Sequence, residues 1–263
     1  MAIRVTFDTN TLERIVTPES FCNDEHFEAY KSIRKALIEG RIEGFFSEAL
    51  ISLDTFCRLD KPTFVGKIRP HSESFSPDGK SITIQIGVRL PQKPQIHSRT
   101  AERIAHVLDL GMRALIGPRY LGGPNLGVGD PGIPYFPATL EFINRTQQVS
   151  SDLWARNLGR AQVVGLGCQL NMSDGVVGAL WTEALNRNRN PVEIKQISEA
   201  INEWVDGEAV AAHIGYDLDL FCTEDRARNS GGNSTLHPTN REWLNKKYEV
   251  KFVGLAELAN QLV

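Results

Sequence analysis

Met1-Ala2-Ile3-Arg4-Val5-Thr6-Phe7-Asp8-Thr9-Asn10-Thr11-Leu12-Glu13 is the stretch on which the reading of the fold turns. Ile3, Val5 and Phe7 alternate with polar neighbours, the period of a strand entering a core. The strand ends on an acid. In a parallel α/β sheet, ligands are held at the carboxyl ends of strands, and Asp8-Thr9-Asn10 sets a carboxylate, a hydroxyl and an amide there together. Two readings stay open at this point. Asp8 or Thr9 caps a helix starting near Thr11, or Asp8 belongs to a metal site, and further acids in matching places are what favours the second.

From Asp24 to Ile38, Phe27, Tyr30, Ile33, Leu37 and Ile38 recur at helical spacing, with Asn23 or Asp24 as cap and Gly40 as stop. Arg41 to Phe46 reads as a second short strand, and Ser47-Glu48-Ala49-Leu50-Ile51-Ser52-Leu53 starts a helix directly after it. Glu48 is a first-turn glutamate favoured by the helix dipole, yet its position relative to its strand repeats that of Asp8. Between Lys61 and Asn190 prolines and glycines crowd in. Ser76-Pro77-Asp78-Gly79-Lys80 followed by Ile82, Ile84, Ile86 and Val88 predicts a hairpin, Ala101 to about Leu115 a helix, and Gly122 to Gly132 a long loop. Gly127-x-Gly129-x-x-Gly132 has no strand before it and Pro131 inside it, so a dinucleotide site is rejected. Gly79-Lys80-Ser81 is not a phosphate loop either, because Ser74 stands where the first glycine is required.

Helical spacing returns at Asn190-Pro191 with Ile194, Ile197, Ile201, Trp204 and Val205, and a small-residue helix follows from Asp206 to Gly215. Leu218 to Thr223 reads as a buried strand that again ends on acids, Thr223-Glu224-Asp225, with Arg226 and Arg228 just beyond. Trp243 to Tyr248, a strand from Glu249 to Val253 and a helix from Ala256 to Leu262 close the chain.

At 263 residues, 41% hydrophobic and 23% charged, the composition is that of an ordinary globular protein. A net charge of −3 provides no global basic field, so any polyanion must be gripped locally. Cys22, Cys57, Cys168 and Cys222 are scattered, without zinc-ligand spacing, and are expected as buried thiols. No charged-then-apolar leader and no apolar run of ~18 residues is present, so a cytoplasmic protein away from membranes is expected.

Phe7-Asp8-Thr9-Asn10, Phe46-Ser47-Glu48, the span Asp206 to Asp225 with Thr223-x-Asp225, and the tail Tyr248-Glu249-Val250-Lys251-Phe252-Val253-Gly254 together resemble a PIN-domain nuclease. The resemblance covers residues 1–58 and 191–263. It implies a three-layer α/β/α sandwich with a central mainly parallel sheet. Residues 1–60 and 191–263 form the nuclease domain, and 61–190 is an inserted hairpin/helix/loop subdomain outside the common pattern. It implies a metal-dependent endonuclease that hydrolyses phosphodiester bonds, in RNA, through magnesium or manganese held by Asp8, Glu48, Asp206 and Asp225. Asp206 has the better spacing for the third acid, with Glu208 left open beside it. Asn10, Ser47 and Thr223 would orient carboxylates and contact substrate, and Arg226 and Arg228 would hold a phosphate.

The residue types suit that chemistry. Magnesium takes oxygen ligands and neutralises charge on phosphoryl oxygens, and clustered carboxylates repel one another unless a cation lies between them. Two alternatives remain: a catalytically silent RNA-binding or assembly module, and a structure-selective DNA nuclease. A homo-oligomer and an inhibitory protein partner are left open. Lys67, Arg69, Lys80, Arg89, Lys93 and Arg99 around the hairpin, with Tyr120, Tyr135 and Phe136 near the loop, are either a grip for nucleic acid or a solvated hairpin and a packed loop.

Overall fold

The first strand, β1 (Ile3–Phe7), buries Val5, Thr6 and Phe7 alike, so both of its faces are covered, as in a central strand of a parallel sheet. In the computed structural model, which describes residues 2–75, 83–92, 96, 98–118, 132–227 and 231–262, the chain continues through α1 (Thr9–Val16), α2 (Phe27–Ile38), β2 (Ile42–Ser47), α3 (Glu48–Ser52) and α4 (Asp60–Gly66). The hairpin β3 (Arg69–Phe75) and β4 (Thr83–Arg89) follows, then α5 (Ser98–Asp109), β5 (Arg113–Leu115), α6 (Leu140–Ala155), α7 (Arg160–Ser173) and α8 (Trp181–Leu185). The chain ends with α9 (Pro191–Gly215), β6 (Leu220–Cys222), α10 (Pro238–Tyr248), β7 (Phe252–Val253) and α11 (Leu255–Asn260).

Five of these strands form one all-parallel sheet in the order β5-β2-β1-β6-β7. On one face, α1, α2, α5 and α11 pack around Val5, Phe7, Ile33, Ile104 and Leu258. On the other, α9 meets α3, α6, α7 and α10 around Leu50, Leu153, Val163, Trp204 and Leu244. The chain winds outward from β1 through β2 to β5, then returns to place β6 and β7 on the opposite side. Between β1 and β6 the connections diverge, and a crevice opens at the carboxyl ends of such strands.

Helix α9 is one unbroken element of 25 residues, where two shorter helices were expected. Asn190 accepts from the Val192 and Glu193 amides at 3.0 Å, and Glu193 Oε2 accepts from the Asn190 amide at 2.9 Å, a reciprocal cap with Pro191 in the first turn. Its second half carries small residues into the core. A Cβ on Gly207 would come 2.9 Å from the Gly159 Cα, which itself has φ +58°, so α7 starts in backbone contact with α9.

The stretch 61–190 is woven into this architecture. It supplies the edge strand β5, paired with β2 from Phe45↔Arg113 to Ser47↔Leu115, and Phe64, Val149, Val163 and Leu185 share the core of α9. Arg113 to Leu115 was expected in a helix; Gly111 at φ +75° ends α5 before them, and three buried or half-buried residues complete the sheet. The antiparallel hairpin is as expected, registered from Arg69↔Arg89 to Phe75↔Thr83, with its Ser76–Lys80 turn outside the described residues. Lys80, Lys93, Tyr120 and Gly122–Pro131 also lie outside them. Tyr135 bridges to Ala114, and the Phe136 ring packs 5.1 Å from Phe45, so these aromatics seal the sheet edge. Arg99 pairs with Glu13 at 2.6 Å and Arg69 with Glu183 at 3.6 Å. Of the four thiols expected to be buried, only Cys222 is; Cys22, Cys57 and Cys168 are exposed and free. Among the described residues, no helix is long and apolar enough to cross a membrane.

Candidate active site

Asp8 sits where β1 stops, held to β6 by its amide donating to the Cys222 carbonyl at 3.0 Å. It does cap α1, with Oδ1 accepting from the Thr9 amide at 2.8 Å. It does more than cap. Thr223 Oγ1 and Asn10 Nδ2 both donate to Asp8 Oδ2, at 2.6 and 2.5 Å. Asn10 Oδ1 accepts from the Glu224 amide at 3.0 Å, and Thr223 Oγ1 accepts from the Asp225 amide at 3.0 Å. The ends of β1 and β6 are thereby joined through side chains around one buried carboxylate.

Three further aspartates act on it electrostatically. Burial, then the charges of Asp54 and Asp225, push the Asp8 carboxyl up to about 6 against the lowering effect of its hydrogen bonds. Asp206, in the middle of α9, is raised well above the ordinary carboxylate range by burial and then by Asp8, Glu203, Asp54 and Asp225. Glu203, one turn earlier, is raised by burial while its Oε2 accepts from the Thr235 amide at 3.1 Å. Asp8, Asp206 and Asp225, expected from the sequence to share a site, therefore lie within one another's field. Glu208 faces elsewhere: its Oε1 accepts from Trp204 Nε1 at 2.9 Å, and Oε2 lies against Gly117.

Asp54 escaped the sequence reading, which stopped at the first acid after β2. It lies in the turn just past the end of α3 (Glu48–Ser52). Lys61, itself buried, holds Asp54 at 3.2 Å and donates to Asn202 Oδ1 at 2.6 Å. Among the described residues this is the one ion pair made by Asp8, Asp54, Asp206 or Asp225. Ser47 is fully buried and caps α3, accepting from the Ala49 amide at 3.2 Å. The β1–β2 register places it level with Asp8, and Glu48, one residue on, is fully buried. Arg226 is exposed, and Arg228 lies outside the described residues. A basic group absent from the sequence reading, Arg241, donates to the Asp225 carbonyl and to the Leu236 carbonyl, under the fields of Asp225, Asp8 and Asp206.

No group of three His, Cys, Asp or Glu side chains among the described residues forms a ready-made metal-holding set. The donors nevertheless suit a hard cation. All are carboxylate oxygens, and magnesium keeps several waters while binding through one or two protein carboxylates. No family model matches the chain, and no curated protein or solved structure matches it. The functional reading therefore rests on the residues and their placement.

Proposed function

We propose that this chain is a PIN-like, magnesium- or manganese-dependent endonuclease that hydrolyses phosphodiester bonds in RNA. The observation that carries the proposal is the convergence of Asp8, Asp54, Asp206 and Asp225 at the switch point of a parallel sheet, where burial first, and then the charges of neighbouring acids, raise Asp8 and Asp206 above the ordinary carboxylate range. A folded chain gathers such carboxylates at a cost, and a divalent cation offsets that cost.

The residues divide the work as follows. Asp8 is fixed by three donors and cannot swing away from the crevice. Asp206, raised by burial and by the charges of Asp8, Glu203, Asp54 and Asp225, would offer its carboxylate to a cation. Lys61 steadies Asp54, and Thr223 ties Asp225's backbone to Asp8. A bound cation supplies neutralisation of the charge that develops on the phosphoryl and leaving oxygens. Arg241 and Arg226 bring positive charge to the same edge for the phosphate of the substrate.

The test is cleavage of matched RNA and DNA oligonucleotides with Mn2+ or chelator, by the wild-type chain and by Asp8→Asn, Asp54→Asn and Asp206→Asn. Metal-dependent RNA cleavage that falls at least 100-fold in each variant is the expected result. Full activity in chelator, or in Asp206→Asn, would overturn the proposal, and preference for DNA would replace its substrate.

A further inference from the structure

The connection from β6 to α10 carries Asp225 and Arg226, and side chains tie down both of its ends. At the β6 end the Asp225 amide donates to Thr223 Oγ1 at 3.0 Å, and Asp225 Oδ1 accepts from the Ala227 amide at 2.7 Å. Ala227 is buried and sits at φ +48°, in the left-handed region that a residue with a Cβ seldom adopts. Such a turn persists only where its surroundings hold it. At the α10 end, Asn240 Nδ2 donates to the Ser234 carbonyl at 2.7 Å and to the Gly232 carbonyl at 3.0 Å, while the Thr235 amide donates to Glu203 Oε2 at 3.1 Å.

One side chain joins the two ends. Arg241, in the first turn of α10, donates through Nε to the Leu236 carbonyl at 2.7 Å and through Nη2 to the Asp225 carbonyl. Its Cζ lies 5.1 Å from the centroid of the Phe252 ring, so the donor fork is braced against β7. A guanidinium suits the task because its N–H groups stand at fixed spacing in one plane, whereas a lysine has a single nitrogen for both carbonyls.

Resting on the nuclease reading above, we infer that Arg241 is a positioning residue for the proposed cation site: it fixes the Asp225 backbone, and with it the direction of the Asp225 carboxylate, at the end of β6. This role is separate from the positive charge that Arg241 lends to the edge, and the two act in opposite directions on a metal ion. Arg241 lies in the fields of Asp225, Asp8 and Asp206. A cation so placed repels a second one, and deleting its charge alone would tighten divalent-metal binding. Deleting the clamp instead releases Asp225 from the left-handed turn and weakens binding, because groups that orient a metal-binding side chain change affinity by about 10–100-fold.

The experiment titrates Mn2+ into the full metal-free chain and reads free Mn2+ by electron paramagnetic resonance, with no nucleic acid present. Arg241→Met should bind Mn2+ about tenfold more weakly than wild type. Arg241→Lys keeps the charge and loses the fork, so it should bind more weakly too; a role through charge alone would leave it unchanged, and this variant carries the comparison if Arg241→Met does not fold. Hydrogen exchange in chelator is the second measurement. The Asp225, Ala227 and Thr235 amides should lose protection in both variants while those of β1 keep theirs, a local release in a folded chain. Mn2+ affinity equal to or tighter than wild type in the variants would overturn the inference and leave the nuclease reading standing, and unchanged protection of those amides would overturn it as well. A wild-type chain that binds no Mn2+, with variants that still lose protection there, sinks the nuclease reading and the metal role with it, and leaves Arg241 as a clamp on the turn.

Discussion

Asp8→Asn should stabilise the metal-free protein at alkaline pH and destabilise it at acid pH, and the inversion tests whether the Asp8 carboxylate is held at a cost by burial and by its acidic neighbours. Moving a carboxyl from 3.8 to about 6 is worth about 3 kcal/mol at about 1.4 kcal/mol per tenfold change in proton affinity. The sign follows from where the protons sit. Between these two values the folded state holds more protons than the unfolded one, so the penalty is full above pH 6, shrinks as pH falls through 6, and is gone below 3.8. The asparagine carries no charge and never incurs it.

The substitution also costs something. Asn keeps Oδ1 for the Thr9 amide and remains a good cap, but its Nδ2 would face Asn10 Nδ2 and the Thr223 hydroxyl in place of an accepting oxygen. The Thr223 hydroxyl can turn to accept from that amide, so the bond from Asn10 is the one lost, worth ~1–2 kcal/mol. The net expectation is a gain of about 1–2 kcal/mol at pH 8, or roughly 2–8 °C in Tm, and a loss of about 1–2 kcal/mol at pH 4. Urea unfolding of both chains in chelator at these two pH values reads it directly. On the proposed cation site, Mn2+ added at pH 8 should then reverse the ranking, because the variant would lack the Asp8 ligand and the wild type would gain binding free energy. A variant that is destabilised by the same amount at pH 8 and pH 4 would refute the reasoning and leave Asp8 as a helix cap.

Lys61→Met should cost about 2–3 kcal/mol in urea unfolding, since it strips the counter-charge from Asp54 in a largely buried pair; an unchanged midpoint would show that the pair carries no stability. Gly207→Ala drives a Cβ to 2.9 Å from the Gly159 Cα, so a loss of about 1–3 kcal/mol in urea unfolding is expected, and an unchanged midpoint would show that the two helices can move apart freely. Burial holds the His213 imidazole down at about 3, with Thr6 Oγ1 at 2.8 Å from its Nδ1. The unfolded chain takes up that proton near pH 6.5, so this histidine withdraws stability as pH falls. The gap between wild type and His213→Gln should accordingly narrow by about 3 kcal/mol from pH 7 to pH 4, and a constant gap would contradict the burial argument.

What could be read from the chain beforehand was whatever is written locally. The alternation of Ile3, Val5 and Phe7, the Asn190-Pro191 start of α9 and the hairpin residues 83 to 89 each hold their signal within a few neighbours, and each stands as an element of that type. Arg113 to Leu115 could not be read so, because three residues are too few to show a period, and they became a strand only by pairing with β2. Helix α6 was missed although residues 138–158 hold no Gly or Pro, and α7 carries Gly165 and Gly167 within it; Val149, Leu153 and Val163 of the two helices share the core of α9.

The site divides along the same line. Asp8 and Asp225 were legible because each follows the end of a strand, and Asp206 because its distance from Asp225 fits a helix returning to the next strand. Asp54 was hidden because it follows a short helix rather than a strand end, so its own neighbourhood carries no strand-end signal. Lys61 and Arg241 were hidden for a different reason. A basic residue next to an acid cluster leaves no pattern in its own neighbourhood, and its role comes wholly from the partner it meets: Asp54 for Lys61, and the Asp225 carbonyl for Arg241. The switch point explains why these distant pieces meet at all. Once β1 and β6 are adjacent and parallel, the right-handed crossovers on either side leave their carboxyl ends uncovered, and Asp8 and Thr223, 215 positions apart, come within a hydrogen bond of each other. The carboxylates converge because the sheet does, and burial together with their shared charge raises Asp8 and Asp206 there.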